Sequence, residues 1–358
     1  MDPERIDPTH LPPEAIGDCE MERPHPADEP IEPPAPKRNA KHLLDSMRNA
    51  IDRLQKDQTA NGDLKILERT LRELRYAFKV FRPYRRRRKV TVFGSARTKP
   101  DHPDYQTAVK LGREMAGHGW MVITGAGGGI MEAGHVGAGP DASMGLNIML
   151  PFEQSSNHII EGDPKLVTMK YFFTRKLMFV KECSAVVCCP GGFGTLDEAM
   201  ETLTLMQTGK QALLPLVLLD SPGDDYWADL GSFIDKQLLK GGMISPEDTS
   251  LYMITDSVEE AIDEVLNFYR VYHSMRYVRD QLVIRLTRPL SAKTMETIQS
   301  QYADIVVKGG FCQCQALPEE ASEPDLAGLP RLTFQFDRRN LGRLRQLINE
   351  INSDEETE

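Results

Sequence analysis

Residues 185–195 read Ala-Val-Val-Cys-Cys-Pro-Gly-Gly-Phe-Gly-Thr, an apolar run that ends in a glycine-rich turn. We predict a helix directly after it, over Leu196–Met206. A second unit of this kind comes earlier, since the apolar segment Trp120–Thr124 leads into Gly125-Ala-Gly-Gly-Gly129. Short apolar strands that alternate with helices indicate a parallel sheet with helices on both faces.

The same alternation runs through residues 88–275, which we predict to form an α/β domain with a doubly wound, Rossmann-like parallel sheet. The expected strands are Val90–Phe93, Trp120–Thr124, Met144–Leu150, Leu166–Met169, Ala185–Cys189, Leu214–Leu219 and Leu251–Ile254. The expected helices are Pro103–His118, Ile130–Ala138, Tyr171–Glu182, Leu196–Met206, Tyr226–Leu239 and Val258–His273. Ligands of such sheets bind outside the carboxyl ends of the strands, where the glycine-rich turns lie.

Residues 276–352 follow a different order of elements, and we predict a small α+β domain of the ferredoxin-like or ACT-like kind. Strands are expected over 282–286, 311–316 and 331–336, and helices over 292–302 and 341–351. This segment shows no catalytic constellation in its sequence. Its architecture alone suggests a regulatory or assembly role.

The chain carries a formal net charge of −10, which is concentrated in its terminal segments. Residues 1–40 contain ten of the 24 prolines and few large apolar groups, so we predict a disordered acidic tail. Residues 353–358 form a second acidic tail, which leaves the body close to neutral. The overall charge therefore does not argue against an anionic ligand.

Residues 41–87 are predicted to form a helical hairpin and a basic linker. Apolar residues recur at helical spacing on both sides of Gly62, from Leu43 to Leu54 and from Leu64 to Phe78. Such a hairpin would pack on the core or on a partner subunit. The basic run over 82–89 is interpreted as a solvated linker or a rim that attracts a phosphorylated ligand, and nucleic acid is the last choice as its partner.

Composition and motifs disfavour several other classes of protein. The longest apolar stretch, Ala212–Leu219, is too short to span a bilayer, and the first thirty residues contain no apolar signal core. We therefore expect a cytoplasmic protein without a membrane partner. The six cysteines lack a metal-binding spacing and the eight histidines form no HExxH motif, so no metal is expected.

Three glycine-rich strand ends are expected at one edge of the sheet: Gly94-Ser95, Gly125–Gly129 and Gly191–Thr195. Glycines let the backbone approach an anion closely, and the N-terminus of the next helix offers free N–H groups. The pattern predicts a phosphate site. It is not the dinucleotide fingerprint, because Ile130 stands where that motif needs a third glycine, and no P-loop motif occurs.

Four segments resemble motifs of the LOG family, the cytokinin-activating phosphoribohydrolases once labelled lysine decarboxylases. Residues 190–198, Pro-Gly-Gly-Phe-Gly-Thr-Leu-Asp-Glu, resemble its PGGxGTxxE motif, and residues 175–178, Arg-Lys-Leu-Met, its RKxxM motif. Residues 124–133 are similar to its TGGGxGIMEA loop, with Ala126 in place of one glycine. Gly94-Ser95 resembles its first phosphate-side turn. The resemblance extends over about residues 88–270 and excludes both tails and the last domain.

The resemblance implies hydrolysis of the N-glycosidic bond of AMP or a cytokinin-type nucleoside monophosphate, without a cofactor. Its catalytic residues would be Glu198, which stabilises positive charge on the sugar ring, and Arg175, which positions Glu198 or the substrate. The implied substrate-binding residues are Gly94, Ser95, Gly127, Gly128, Gly129, Met178, Gly191, Gly192, Gly194, Thr195 and Glu201. Members of the family are dimers or larger, so a homo-oligomer is expected.

Alternatives stay open for several of these residues. Thr195-x-x-Glu198 is also the pattern of a helix capping box, Glu201 could be a solvated acid, and Met178 has the spacing of a core residue. A decarboxylase would need a pyridoxal-binding lysine, and no lysine is marked as one. The alternative function is nucleotide sensing or carriage of a molybdenum cofactor without hydrolysis. The joint presence of Arg175 and Glu198 favours hydrolysis, because binding alone needs only the glycine turns.

Overall fold

The computed structural model describes residues 38–150 and 155–355, which fall into two compact units divided between Ile66 and Leu67. The first unit contains helix α1 (Arg38–Lys56) and the start of α2 (Asn61–Phe81). Because α2 begins at Asn61, Gly62 lies in its first turn and not between the helices. The packing of these helices as a hairpin stays a prediction. Residues 1–37 of the predicted tail lie outside the described residues, and its last three residues belong to α1, which begins at Arg38.

The strands of the second unit's larger sheet are short and almost entirely apolar. They are β1 (Lys89–Phe93), β2 (Met121–Thr124), β3 (Ser143–Ile148), β4 (Leu166–Met169), β5 (Ala185–Cys188), β6 (Leu216–Leu219) and β7 (Met253–Thr255). In the described part of the chain they form one seven-stranded, fully parallel sheet in the order β4-β3-β2-β1-β5-β6-β7. The strand order therefore reverses between β1 and β5, which is where such folds open a ligand crevice.

Helices cover both faces of this sheet. They are α3 (Pro103–Gly117), α4 (Ile130–Ala138), α5 (Phe172–Glu182), α6 (Phe193–Gln207), α7 (Tyr226–Phe233) and α8 (Val258–Asn267). Alternate residues of one strand face opposite layers: Val187 packs in one apolar cluster, and Val186 and Cys188 pack in the other. The predicted doubly wound, Rossmann-like fold is confirmed.

A second, smaller sheet follows and is antiparallel. Its elements are β8 (Tyr272–Val278), β9 (Gln281–Leu286), α9 (Ala292–Gln301), β10 (Cys312–Cys314), β11 (Arg331–Phe334) and α10 (Leu341–Ser353). Over the described residues the strand order is β10-β11-β9-β8. The succession β9-α9-β10-β11-α10 is that of a ferredoxin-like fold, and β8 fills the place beside β9 that the last strand takes there. The predicted small α+β domain is confirmed.

The long helix predicted over Val258–His273 is wrong. Helix α8 ends at Asn267, and Tyr272 already belongs to β8, where it pairs with Leu286 of β9. Apart from the exposed Arg270, the residues between them are apolar or aromatic and at least partly buried, and the rings of Phe268 and Tyr272 lie 5.2 Å apart. The apolar pattern extends beyond the helix because burial continues after the helix has ended. Since β8 begins at Tyr272, the small domain begins before residue 276.

The small domain shares its apolar core with the larger one. Met206 at the end of α6 and Leu344 of α10 belong to the same buried cluster as Ile284 of β9. A Cβ at Gly342 would come within 2.3 Å of the carbonyl oxygen of Glu247, so only glycine permits this approach of α10. Helix α10 therefore packs against the end of α6 that is opposite the predicted site.

Part of the basic run between α2 and β1 is held by contacts with later parts of the chain. Arg86 lies 2.5 Å from Asp325, and the Arg88 guanidinium lies 3.4 Å from the centre of the Tyr269 ring. Lys89 is buried, and burial lowers its pKa. These contacts support the linker interpretation. Within residues 38–150 and 155–355, no helix combines the length and the apolar character needed to cross a bilayer.

Candidate active site

A cavity of about 780 Å³ lies at the carboxyl ends of the central strands, where the strand order reverses. This size is in the range of small-molecule sites. The lining residues are Phe93, Gly94, Ser95, Ala96, Arg97, Gly125, Gly127, Met131, Asn147, Ile148, Leu150, Ser155, Phe172, Arg175, Gly191, Gly192, Phe193, Gly194, Thr195, Leu196, Asp197 and Glu198.

The glycine turns after β1 and β5 are joined at the floor of this cavity. Ser95 N–H donates a hydrogen bond to the carbonyl oxygen of Pro190, at 3.0 Å. A Cβ at Gly191 would lie 2.2 Å from Oγ1 of Thr195, so only glycine fits there. Helix α6 begins beside them with Gly192 as its N-cap, and no side chain caps it. Its first N–H groups and the positive end of its dipole are therefore available to an anion.

Because Gly192 is the N-cap of α6, the capping-box interpretation of Thr195 and Glu198 is wrong. Glu198 lies farther into the helix, lines the cavity and is only 8% exposed. Burial raises the pKa of Glu198 to about 7, although the neighbouring charges of Lys176 and Arg175 lower it. A carboxyl group that titrates near neutral pH in a cleft is typical of acid–base or charge-stabilising chemistry.

Arg175 reaches the cavity from the first turn of α5. Its Nε–H donates a hydrogen bond to the carbonyl oxygen of Leu146, at 2.8 Å, and its guanidinium carbon lies 5.1 Å from the centre of the Phe179 ring. Gly125 makes room for it, since a Cβ there would lie 2.2 Å from a terminal nitrogen of the guanidinium. Burial lowers the pKa of Arg175 to about 10 and the charge of Glu198 opposes this, so Arg175 is a cation at neutral pH.

Lys176 and Glu201 form an ion pair next to the cavity. The Lys176 ammonium lies 2.7 Å from Glu201 and 2.8 Å from Asp197. Burial lowers the pKa of Lys176, but these two hydrogen bonds outweigh it and the net shift is upward. The Lys176 ammonium therefore holds the Glu201 carboxylate in place, a contact that neither of its predicted roles, substrate binding or a solvated acid, included.

The structure brings most of the predicted residues together. Those that line the cavity are Gly94, Ser95, Gly127, Arg175, Gly191, Gly192, Gly194, Thr195 and Glu198. Gly128 and Gly129 lie in the turn after β2, where Gly129 has φ +63° and packs against the backbone of Ser95. Met178 has no exposed surface and lies in the apolar core beneath the site, not on its wall.

Several lining residues were not predicted. Phe193 fills the variable position of the PGGxGT motif and is 93% exposed at the mouth of the cavity. Arg97 follows the first glycine turn, and its main-chain N–H donates to Oγ of Ser95 at 3.1 Å. Its guanidinium has no hydrogen bond or ion pair within the described residues. A basic residue two positions after Gly94-Ser95 is the sequence signal that could have identified it.

Metal ligation has no support in this site. Among the residues that the structure describes, no group of three or more His, Cys, Asp and Glu side chains could hold a metal ion. The charged groups that line the cavity, in the part of the chain that the structure describes, are Arg97, Arg175, Asp197 and Glu198. The chemistry open to this set is anion binding, proton transfer and stabilisation of a developing positive charge.

The fold and this site define an α/β protein with a Rossmann-like domain, whose cavity combines glycine turns, an uncapped helix N-terminus and a buried carboxyl group. A family model described as "Possible lysine decarboxylase" matches residues 127–265. The chain is 28% identical over 169 residues to a cytokinin riboside 5′-monophosphate phosphoribohydrolase of Mycobacterium tuberculosis, covering 46% of this chain and 86% of that protein. The resemblance to the LOG family, predicted from four motifs, is thereby confirmed.

The chain also shows two further similarities. A cytokinin riboside 5′-monophosphate phosphoribohydrolase of Arabidopsis thaliana is 29% identical over 185 residues, which are 50% of this chain and 81% of that protein. The solved structure of a molybdenum cofactor binding protein from Rippkaea orientalis is 22% identical, with a TM-score of 0.36, and covers 50% of this chain and 94% of its own.

Proposed function

We propose that this protein hydrolyses the N-glycosidic bond of a nucleoside 5′-monophosphate and releases the free base and ribose 5-phosphate. The observation that carries the proposal is the presence of Arg175 and the buried Glu198 in one cavity, beside an uncapped helix N-terminus. The relatives named phosphoribohydrolases support it. Binding a nucleotide requires the turns alone, whereas a carboxyl group whose pKa burial raises to about 7 in a cleft is typical of a catalytic group.

The 5′-phosphate would be held at the N-terminus of α6. Gly192 and Gly194 present their backbone to the cavity, and Ser95 faces them from the turn after β1. Arg97 adds a positive charge beside the same turn. With the phosphate bound there, the sugar would lie toward Arg175 and Glu198.

The reaction breaks the bond between C1′ of the ribose and the base nitrogen. The electron pair leaves with the base, and positive charge develops on the sugar ring, where the Glu198 carboxylate stabilises it. A water molecule adds its hydroxyl group to C1′ and its proton balances the departing base. The ionised form of Glu198 is the one that acts, and the Arg175 charge favours that form.

We also propose that the active form is a homo-oligomer. Phe172 and Phe193 are exposed at the mouth of the cavity, and Phe173 and Leu177 are exposed on α5 beside it. A second copy of the chain would cover this apolar surface. Light scattering after size-exclusion chromatography tests this, and a monomer at working concentration would contradict it.

The activity is tested with purified full-length protein and a panel of monophosphates: AMP, GMP, IMP, CMP, UMP and isopentenyladenosine monophosphate. We expect release of free base with an equal amount of ribose 5-phosphate from AMP or the cytokinin monophosphate, and none from the unphosphorylated nucleosides. Glu198→Gln and Arg175→Ala should abolish release, whereas Lys181→Met on the same helix α5 serves as a control and stays active. Tight nucleotide binding without release of any base would overturn the proposal in favour of the sensing or carrier alternative.

A further inference from the structure

Glu73 of α2 is a buried carboxylate whose main partners lie on a different segment. Its Oε1 accepts hydrogen bonds from Nε of Arg69, at 2.8 Å, and from the main-chain N–H of Lys170, at 2.7 Å. Its Oε2 accepts a hydrogen bond from Oγ1 of Thr174, at 2.8 Å. Glu73 is 5% exposed, so these partners are what makes its burial tolerable.

Lys170 and Thr174 flank the N-terminus of α5, the helix that carries Arg175. Within α5 itself, the N-cap residue Tyr171 makes no side-chain capping hydrogen bond and the first turn contains no acidic residue. The positive end of this helix therefore has no negative partner of its own. Glu73 supplies that partner from α2, through the N–H group before the helix and the hydroxyl group in its first turn.

Arg175 directly follows Thr174, so the segment that Glu73 holds is the one from which the guanidinium projects. The Arg175 main-chain N–H donates to the carbonyl oxygen of Tyr171, at 3.3 Å, in the first hydrogen bond of the helix. Its side chain then runs to the carbonyl oxygen of Leu146 and against Gly125, where there is no spare room. A small shift of the start of α5 would therefore break the bond to Leu146 and move the guanidinium relative to Glu198.

We infer that Glu73 is a positioning residue for Arg175, because it caps α5 from α2 and so fixes the guanidinium against β3 and beside Glu198. Its effect on turnover rests on the proposed function. Helix α2 precedes residue 88, where the resemblance to the LOG family begins, so a segment outside that resemblance completes the active site of this chain.

The test compares Glu73→Gln with Glu68→Gln in the full-length protein. Both variants remove one negative charge from α2, but Glu68 is exposed and pairs with Arg72 of its own helix. A third variant, Thr174→Val, keeps the shape of the side chain and removes the hydroxyl group that donates to Glu73. Turnover is measured with AMP, or with the best monophosphate of the panel, and the Nε–H signal of Arg175 is followed by ¹⁵N NMR after assignment with Arg175→Lys.

For Glu73→Gln we expect kcat to fall about 10- to 100-fold with KM changed less than about 2-fold, because a misplacement near 1 Å has effects of this size. The Arg175 Nε–H should exchange faster with solvent, since its bond to Leu146 is weakened. Glu68→Gln should change neither. Combining Glu73→Gln with Thr174→Val should cost less than the product of the two single effects, because both remove one shared interaction.

The outcomes separate the inference from the proposed function. A wild-type protein without turnover overturns the proposed function, and the NMR comparison then decides the inference: an unchanged Arg175 signal in Glu73→Gln overturns it. An active wild type with unchanged kcat in Glu73→Gln overturns the inference alone. A lower Tm with an unchanged kcat per active site would make Glu73 a purely structural residue and would also overturn it.

Discussion

The Nε–H of Arg175 donates a hydrogen bond to the carbonyl oxygen of Leu146, 2.8 Å away, and this bond ties helix α5 to strand β3 at the wall of the cavity. The hydrogen bond from Nε holds the guanidinium in place, and the charge of the guanidinium lowers the pKa of Glu198 across the site. Both groups are buried, so the charge state of each depends on the other. The ionisation of Glu198 can therefore be followed in the stability of the protein as well as in its activity.

Glu198 should make the folded protein less stable as the pH rises. Its pKa is about 7 in the fold, above its ordinary value of 4.5, so its contribution to stability is full below pH 4.5 and is lost as the pH rises through 7. The loss is at most about 3 kcal/mol. Glu198→Gln removes this loss, and urea unfolding should show the variant more stable than the wild type at pH 8.5 but close to it near pH 4. If the urea midpoints of the wild type and Glu198→Gln differed by the same amount at every pH in this range, Glu198 would not be the group whose pKa is raised.

Lys176→Met should shift the pH dependence of the activity upward. The Lys176 charge lowers the pKa of Glu198, so its removal lets Glu198 ionise only at a higher pH. We expect the rising limb of kcat/KM against pH to move up by about one unit. The control is Lys181→Met, because Lys181 lies on the same helix but pairs with Glu182. A limb that does not move in Lys176→Met would show that another group titrates.

Much of the fold and of the site follows from local pattern. Apolar runs that end in glycine predict β2 and β5 and the turns after them, because a buried parallel strand and a close approach of the backbone each need particular residues. The placement of Arg175 and Glu198 in one site is implied by the resemblance of their two motifs to those of the LOG family. These features are encoded within short segments of the chain.

What could not be predicted depends on contacts between distant segments. Glu73 looks like an ordinary acid on an amphipathic helix, and only the fold brings it to Lys170 and Thr174. Helical spacing gives the face on which Glu201 lies, but not that Lys176 neutralises it there. The end of α8 is predicted too late for a similar reason: apolar residues continue to be buried after the helix has ended, through contacts with the small domain.

Ala126→Gly should stabilise the protein. Ala126 stands where the family motif has glycine and has φ +62°, a region that costs a residue with a Cβ about 1 kcal/mol. Its conformation is held by hydrogen bonds from its own N–H to Thr124 Oγ1, at 3.0 Å, and from the N–H of Asn157 to its carbonyl oxygen, at 2.8 Å. We expect Ala126→Gly to gain about 1 kcal/mol in urea unfolding and Ala133→Gly, in the interior of α4, to lose about as much. Equal losses in both variants would mean that the turn is unstrained.

Arg97→Gln should weaken binding of the phosphate with little effect on the chemical step. The Arg97 side chain lines the cavity beside Ser95 and has no hydrogen bond or ion pair of its own in the described residues, so its charge is free to meet an anion. A charged hydrogen bond is worth about 1.5 kcal/mol or more, which corresponds to a rise of about 10-fold in KM at nearly constant kcat.

Arg97→Lys should recover part of the loss, and Arg113→Gln on the exposed face of α3 should change nothing. Calorimetry with ribose 5-phosphate measures the same contact without turnover, and equal affinity in wild type and Arg97→Gln would exclude Arg97 from the phosphate site.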